Sequence, residues 1–147
     1  MPPKAIIMHA TGGTNSLAWL TTTSDPPVSA HFLIGRDAAV NRLVEDSGVA
    51  WHAGASRFGL YGGPGRPTVN DISIGIELEN TNTGAQVYPN GQIQQAARVV
   101  WRLYQQYGHI PVVSHAAIAP GRKVDPLGFP WGTFHAYLKQ LMLGTAV

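Results

Sequence analysis

His9 ends the apolar run KAIIMHA, and His115 stands in VVSHAAIAPGRKVDP with Asp125 ten residues further on. Two imidazoles and one carboxylate are three of the four ligands that a catalytic zinc ion takes, the fourth place being left open for water or substrate. The trio therefore reads as an open zinc centre held by nitrogen and oxygen. The chain has no cysteine, which removes thiolate ligands, a thiolate nucleophile and disulfides together. Taken one at a time the histidines argue for less. There are six, and a single histidine at the end of a strand more often closes a structural hydrogen bond than holds a metal. A Ser-His-Asp hydrolase is set aside, because Ser114 and His115 adjacent on a strand would face opposite ways and no G-x-S-x-G elbow occurs.

The elements that must position these groups read as strands interleaved with helices. KAIIMHA is a short apolar run rich in β-branched residues, closed by the turn TGGTN, in which Asn15 is expected to cap a helix over SLAWLTT. Residues 27–35, PVSAHFLIG, give a second strand, AVNRLVED a third and VAWHAG a short fourth, with Asp37 starting the turn between the second and third. Residues 53–70 are rich in Gly and Pro and read as a long loop, divided evenly between a mobile connection and a flap beside the site. In SIGIELEN, Ile74, Ile76 and Leu78 alternate with Ser73, Gly75, Glu77 and Glu79, so two carboxylates share the face opposite the core. The ordinary reading of that face is solvent. Helical spacing of Ile93, Ala96, Val100, Leu103 and Tyr107 predicts a helix that Gly108 stops. A last helix, WGTFHAYLKQLML, should turn Phe134, Leu138, Leu141 and Met142 inward and leave His135 at the surface. Trp101 and Tyr104 read as packing residues.

A chain of 147 residues, 44% hydrophobic, suits one domain over 1–147 with one core. The seven arginines and three lysines are scattered and the formal net charge is +2, so the basic pI of about 9.2 reflects scarce acids and does not signal a nucleic-acid partner. The apolar run AIIM is too short for a signal-peptide core, and no stretch reaches the roughly 20 apolar residues of a membrane span. Cytoplasmic synthesis, no membrane insertion and a monomer are the expectations.

The segments IIMHATGG, VSAHFLIGRD, AWHAG, SIGIELEN and SHAAIAPGRKVDPLGFPW occur in the order and spacing of zinc-dependent N-acetylmuramoyl-L-alanine amidases. From about residue 4 to residue 141 the chain resembles the small single-domain branch of that superfamily, shared by phage endolysins and muropeptide-recycling amidases, with peptidoglycan-recognition proteins as distant relatives. The resemblance implies an α/β fold: a central mixed sheet flanked by helices, with His9, Glu77 and His115 near one edge of a cleft. It implies cleavage of the amide between N-acetylmuramic acid and L-alanine, with peptidoglycan or a muropeptide as substrate. A lytic endolysin that reaches the wall after release is the first expectation, cytosolic recycling of soluble anhydro-muropeptides the second, and a non-catalytic binding module a distant third.

Carried over position by position, the resemblance gives His9, His115 and Asp125 as zinc ligands. Glu77 matches the catalytic glutamate that orients and deprotonates the attacking water, and Lys123 a lysine that stabilises the oxyanion. Glu79 is given a supporting role. His31 and His52 are read as packing or cleft-lining residues. Trp51 and Trp131 are offered as surfaces for sugar rings, and Arg57 and Arg66 as partners for stem-peptide carboxylates. The sequence departs from the family after Asp37, where Ala38 and Ala39 replace the usual glycine, and at Leu127 before Gly128.

Overall fold

Six consecutive buried residues, Ala5–Ala10, form β1, which explains why its sequence is apolar without alternation: the strand is covered on both faces. In the computed structural model, which describes residues 1–22, 25 and 27–145, β1 lies inside a five-stranded sheet. The other strands are β2 (Phe32–Ile34), β3 (Val40–Arg42), β4 (Ser73–Leu78) and β5 (Val112–Ser114). Their order is β3-β2-β4-β1-β5, with every pairing parallel except the β2–β3 hairpin. Helices are α1 (Ser16–Thr21), α2 (Asn90–Tyr107), the single turn α3 (His115–Ile118) and α4 (Trp131–Met142).

Each face of the sheet has its own covering. Ile6, Met8, Phe32, Ile34, Ile74, Ile76 and Leu78 pack with Val100 and Leu103 of α2 and Phe134 and Leu138 of α4 in the main core. On the opposite face Ala5 and Ile7 join Ala53, Val69, Ile72 and Ile118 in a smaller cluster, over which Phe58 and Tyr61 close. The long Gly/Pro-rich loop therefore packs against this face through Ala53, Phe58, Tyr61 and Val69, pinned by a Phe58–Tyr61 bridge and the 3-10 turn Asn70–Ile72. Glu77 lies on that face, and it is buried rather than solvated.

Several expectations need correction. VAWHAG forms no strand. Its backbone is tied instead by Trp51 N donating to Ser29 Oγ at 2.8 Å and by the N–H groups of His52 and Ala53 donating to Asn70 Oδ1 at 3.1 and 2.8 Å. The third strand is only Val40–Arg42 of AVNRLVED, and the second only Phe32–Ile34. Asn15 adopts a left-handed backbone, φ 57°, and makes no side-chain cap to α1. Met142 is 41% exposed where an inward position was expected. The β2–β3 turn holds as expected at Asp37, whose Oδ1 accepts from Ala39 N, but Ala38 takes the φ of +68° that a glycine would occupy without strain. Gly108 ends α2 with φ 83°. Among the described residues no helix is long and apolar enough to cross a membrane.

Candidate active site

Parallel pairing of β1 with β4 sets His9 opposite Glu77 in register, so both side chains leave the sheet on the same face near the strands' C-terminal ends. Open parallel sheets bind ligands outside those ends, and here a cleft of about 910 Å³ opens there. Glu77, His115, Asp125, Lys123 and Trp51 line it together with His9. His115 is brought in differently from the strand-borne position expected: β5 ends at Ser114, whose Oγ accepts from Ala117 N at 3.0 Å and caps α3, of which His115 is the first residue. Ser114 is thereby occupied as a helix cap. Asp125 returns to the site because its carbonyl accepts from Ala116 N at 3.0 Å and its Oδ2 from Ala10 N at 3.3 Å. The turn after α3, in which Ala119 O accepts from both Arg122 N and Lys123 N, presents Lys123 at the cleft.

Three donor atoms converge. His9 Nδ1 lies 3.0 Å from His115 Nδ1 and 3.5 Å from Asp125 Oδ2, and His115 Nδ1 lies 3.2 Å from Asp125 Oδ2. His115 Nε2 faces the Ala53 carbonyl at 3.1 Å, which can only accept, so that nitrogen carries a proton. Burial, helped by His115 and Lys123 against the opposing hydrogen bond of Asp125, lowers the pKa of His9 to about 4 and leaves it neutral. Two imidazole lone pairs and a carboxylate facing one another repel unless a cation sits among them, a proton or a metal ion. Bonds of about 2.0–2.1 Å to a tetrahedral ion put neighbouring ligand atoms about 3.3 Å apart. The observed edges of 3.0, 3.2 and 3.5 Å bracket that value. Among the described residues these three form the group that could hold a metal ion. Burial alone would raise Asp125, but hydrogen bonding to His115 and His9 outweighs it and holds the carboxyl below its ordinary range.

Glu77 is 7% exposed and its Oε2 has no hydrogen-bond partner. Burial first, then Asp125, raises its pKa from 4.5 to about 8, while Lys123 pulls the other way. A carboxyl poised near neutrality beside a cation site suits proton transfer.

The remaining residues divide. His52 lines the cleft and touches His9, whereas His31 is structural: its Nδ1 accepts from Gly75 N and its Nε2 donates to Gly48 O, both at 3.0 Å. Glu79 acts through its backbone, N donating to Ile34 O and the carbonyl accepting from Gln92 Nε2. Trp51 lines the cleft and is 51% exposed, but Trp131 packs on Phe129 and Phe134 in the core and offers no sugar platform. Arg57 and Arg66 do not line the cleft. Arg122 does, with Nη2 donating to Ala53 O at 2.8 Å and Nε to Ala55 O at 2.9 Å. The sequence reading missed Arg122, Trp19, Asn70 and Ser73. Only Arg122 had a visible signal, its place beside Lys123.

A donor set that fits a tetrahedral cation, next to a buried carboxylate with a raised pKa, is the make-up of a metal-assisted hydrolase. The chain belongs to the N-acetylmuramoyl-L-alanine amidase family, which its residues 1–128 match. It is 45% identical over 112 residues to the 1,6-anhydro-N-acetylmuramyl-L-alanine amidase AmpD of Salmonella typhimurium, an alignment covering 74% of this chain and 56% of that protein. The chain thus spans little more than half the length of this relative. A selenomethionine derivative of AmpD superposes with a TM-score of 0.80 at 36% identity, over 94% of this chain and 86% of that one. AmiD from E. coli, solved with the substrate anhydro-N-acetylmuramic acid-L-Ala-D-γ-Glu-L-Lys, gives a TM-score of 0.74 at 32% identity, over 99% of this chain and 58% of that one.

Proposed function

We propose that this chain is a zinc-dependent hydrolase, a single-domain monomer, that cleaves the amide between N-acetylmuramic acid and L-alanine in soluble 1,6-anhydro-muropeptides. The observation that carries the reading is the triangle of His9, His115 and Asp125 atoms, sized for a tetrahedral ion and set beside Glu77. With no sulfur ligand and two imidazoles, the donor set suits zinc. Zinc bound there would polarise the scissile carbonyl and bring a water toward ionisation near neutral pH. Glu77 takes the proton from the attacking water and passes it to the leaving alanine nitrogen. The Lys123 ammonium, at the cleft mouth, offsets the negative charge that develops on the carbonyl oxygen. Trp51 and Trp19, half exposed on the cleft lining, give flat apolar surfaces to the sugar.

Lytic action on the intact wall was the first expectation from sequence, and the relatives reverse that order. AmpD is named for the 1,6-anhydro substrate, and AmiD was solved with an anhydro-muramyl peptide. The cytoplasm is the place of work that belongs to this proposal. Mass spectrometry of products from soluble anhydro-muropeptides and from purified sacculi, each with and without a zinc chelator, tests the reading. Stem peptides with a free alanine N-terminus should appear from the soluble substrate and vanish with chelator. Release from sacculi alone would restore the lytic reading, and binding without cleavage would make the chain a recognition module.

A further inference from the structure

We propose that His52, seated on Gly75 and hydrogen-bonded to Ser73, is a positioning residue that fixes the tautomer of His9 and so aims the bare Nδ1 of His9 at the metal position. The inference rests on the metal-site reading above. It begins at a backbone carbonyl. Ser73 Oγ lies 2.6 Å from Val69 O, which can only accept, so the hydroxyl hydrogen points there. The same Oγ lies 3.2 Å from His52 Nε2 and, its hydrogen already used, must accept from that nitrogen. A neutral imidazole has one N–H, so His52 Nδ1 is left as an acceptor, 2.9 Å from His9 Nε2. His9 Nε2 then carries the hydrogen, and His9 Nδ1 is the nitrogen without one. Polarity is relayed from Val69 O through two side chains to the atom that meets His115 and Asp125.

The surroundings hold His52 for this task. A Cβ at position 75 would fall 2.4 Å from His52 Cγ and 2.7 Å from its Cδ2 and Nδ1, closer than real side chains come, so the ring can lie against β4 only over a glycine. Ser73, Gly75 and Glu77 share that face of the strand, giving the relay, its seat and the buried carboxyl from one alternation. From the other side Asn70 Oδ1 accepts from His52 N and Ala53 N. The Ala53 carbonyl in turn receives His115 Nε2. One pinned dipeptide therefore orients both imidazoles, through a ring for His9 and a carbonyl for His115. Partners of this kind fix tautomer and ring orientation in metal sites, and losing one costs roughly 10–100-fold in metal affinity.

The test compares wild type with His52→Leu, which fills the space without polar atoms, and His52→Asn, whose Oδ1 can accept where Nδ1 did. Long-range 1H–15N correlation spectra of the metal-free proteins at about pH 8 report the His9 tautomer, and competition with a chromogenic chelator reports zinc affinity. Wild type and His52→Asn should show His9 with its hydrogen on Nε2. His52→Leu should show a tautomer mixture and a zinc affinity lower by about 10–100-fold. Equal thermal melting of the Leu and Asn variants controls for folding. His9 protonated on Nδ1 in metal-free wild type would overturn the proposal, as would His52→Leu retaining both the tautomer and the affinity within about twofold. A wild-type protein that takes up no zinc would sink the metal-site reading alone, because the tautomer is read without metal.

Discussion

Replacing Glu77 by Gln in the metal-free protein separates the cost of burying this carboxyl from its work. Glu77 sits on a central strand, its Oε2 unpartnered, with a pKa raised to about 8 chiefly by burial. Below pH 4.5 the group is protonated in both folded and unfolded chains and costs nothing. Between about pH 4.5 and 8 the unfolded chain ionises while the folded one does not, so stability drains at about 1.4 kcal/mol per pH unit. From pH 5 to pH 7.5 that slope amounts to about 3 kcal/mol. Glutamine has no such slope. The depressed His9 and His52 lose stability in the opposite direction, as pH falls, but they are common to both proteins and cancel in the difference. Urea unfolding of both proteins in chelator at the two pH values should show the variant's advantage growing by about 3 kcal/mol, while amide hydrolysis by the zinc-loaded variant is lost. Parallel pH dependences in wild type and variant would refute the argument that desolvation sets the state of Glu77.

Lys123→Met should lower kcat by about 100-fold or more, the scale of a lost oxyanion contact, with zinc content unchanged; metal analysis beside steady-state kinetics checks both, and a loss confined to KM would move Lys123 from the reaction to substrate binding. Ala38→Gly should raise stability by about 0.5–1 kcal/mol, because Ala38 holds a left-handed backbone that costs an L-residue about 1–2 kcal/mol and a glycine little beyond its unfolded-state entropy. Denaturant titration reads the change, and a destabilised glycine variant would show that the strain is not there.

The parts of this fold that were legible are those written in local periodicity. β1 is a short apolar run, β4 alternates with period two, and α2 repeats its apolar residues at helical spacing until Gly108. The five residues expected to do chemistry, His9, Glu77, His115, Lys123 and Asp125, all line one cleft. What failed depends on distant partners. Residues 49–54 have strand-like composition, but their backbone donors go to Ser29 and Asn70, some twenty residues away on either side, which no local pattern announces. Alternation in β4 separates two faces without saying what covers them. The cover over Ser73 and Gly75 is an aperiodic loop, so Glu77 looked solvated and is not. Met142 continues the helical period of α4 past the end of the core it would need to meet.

The in-register pairing of His9 with Glu77 gives the two residues a separation that belongs to the backbone ladder, about 4.8 Å between adjacent strands. The main apolar core lies on the other face of that ladder and owes nothing to the donor atoms. The groups that could do chemistry thus share their face of the sheet with the smaller apolar cluster, while the larger one packs behind them. The spacing of these two side chains is therefore as durable as the β1–β4 pairing itself.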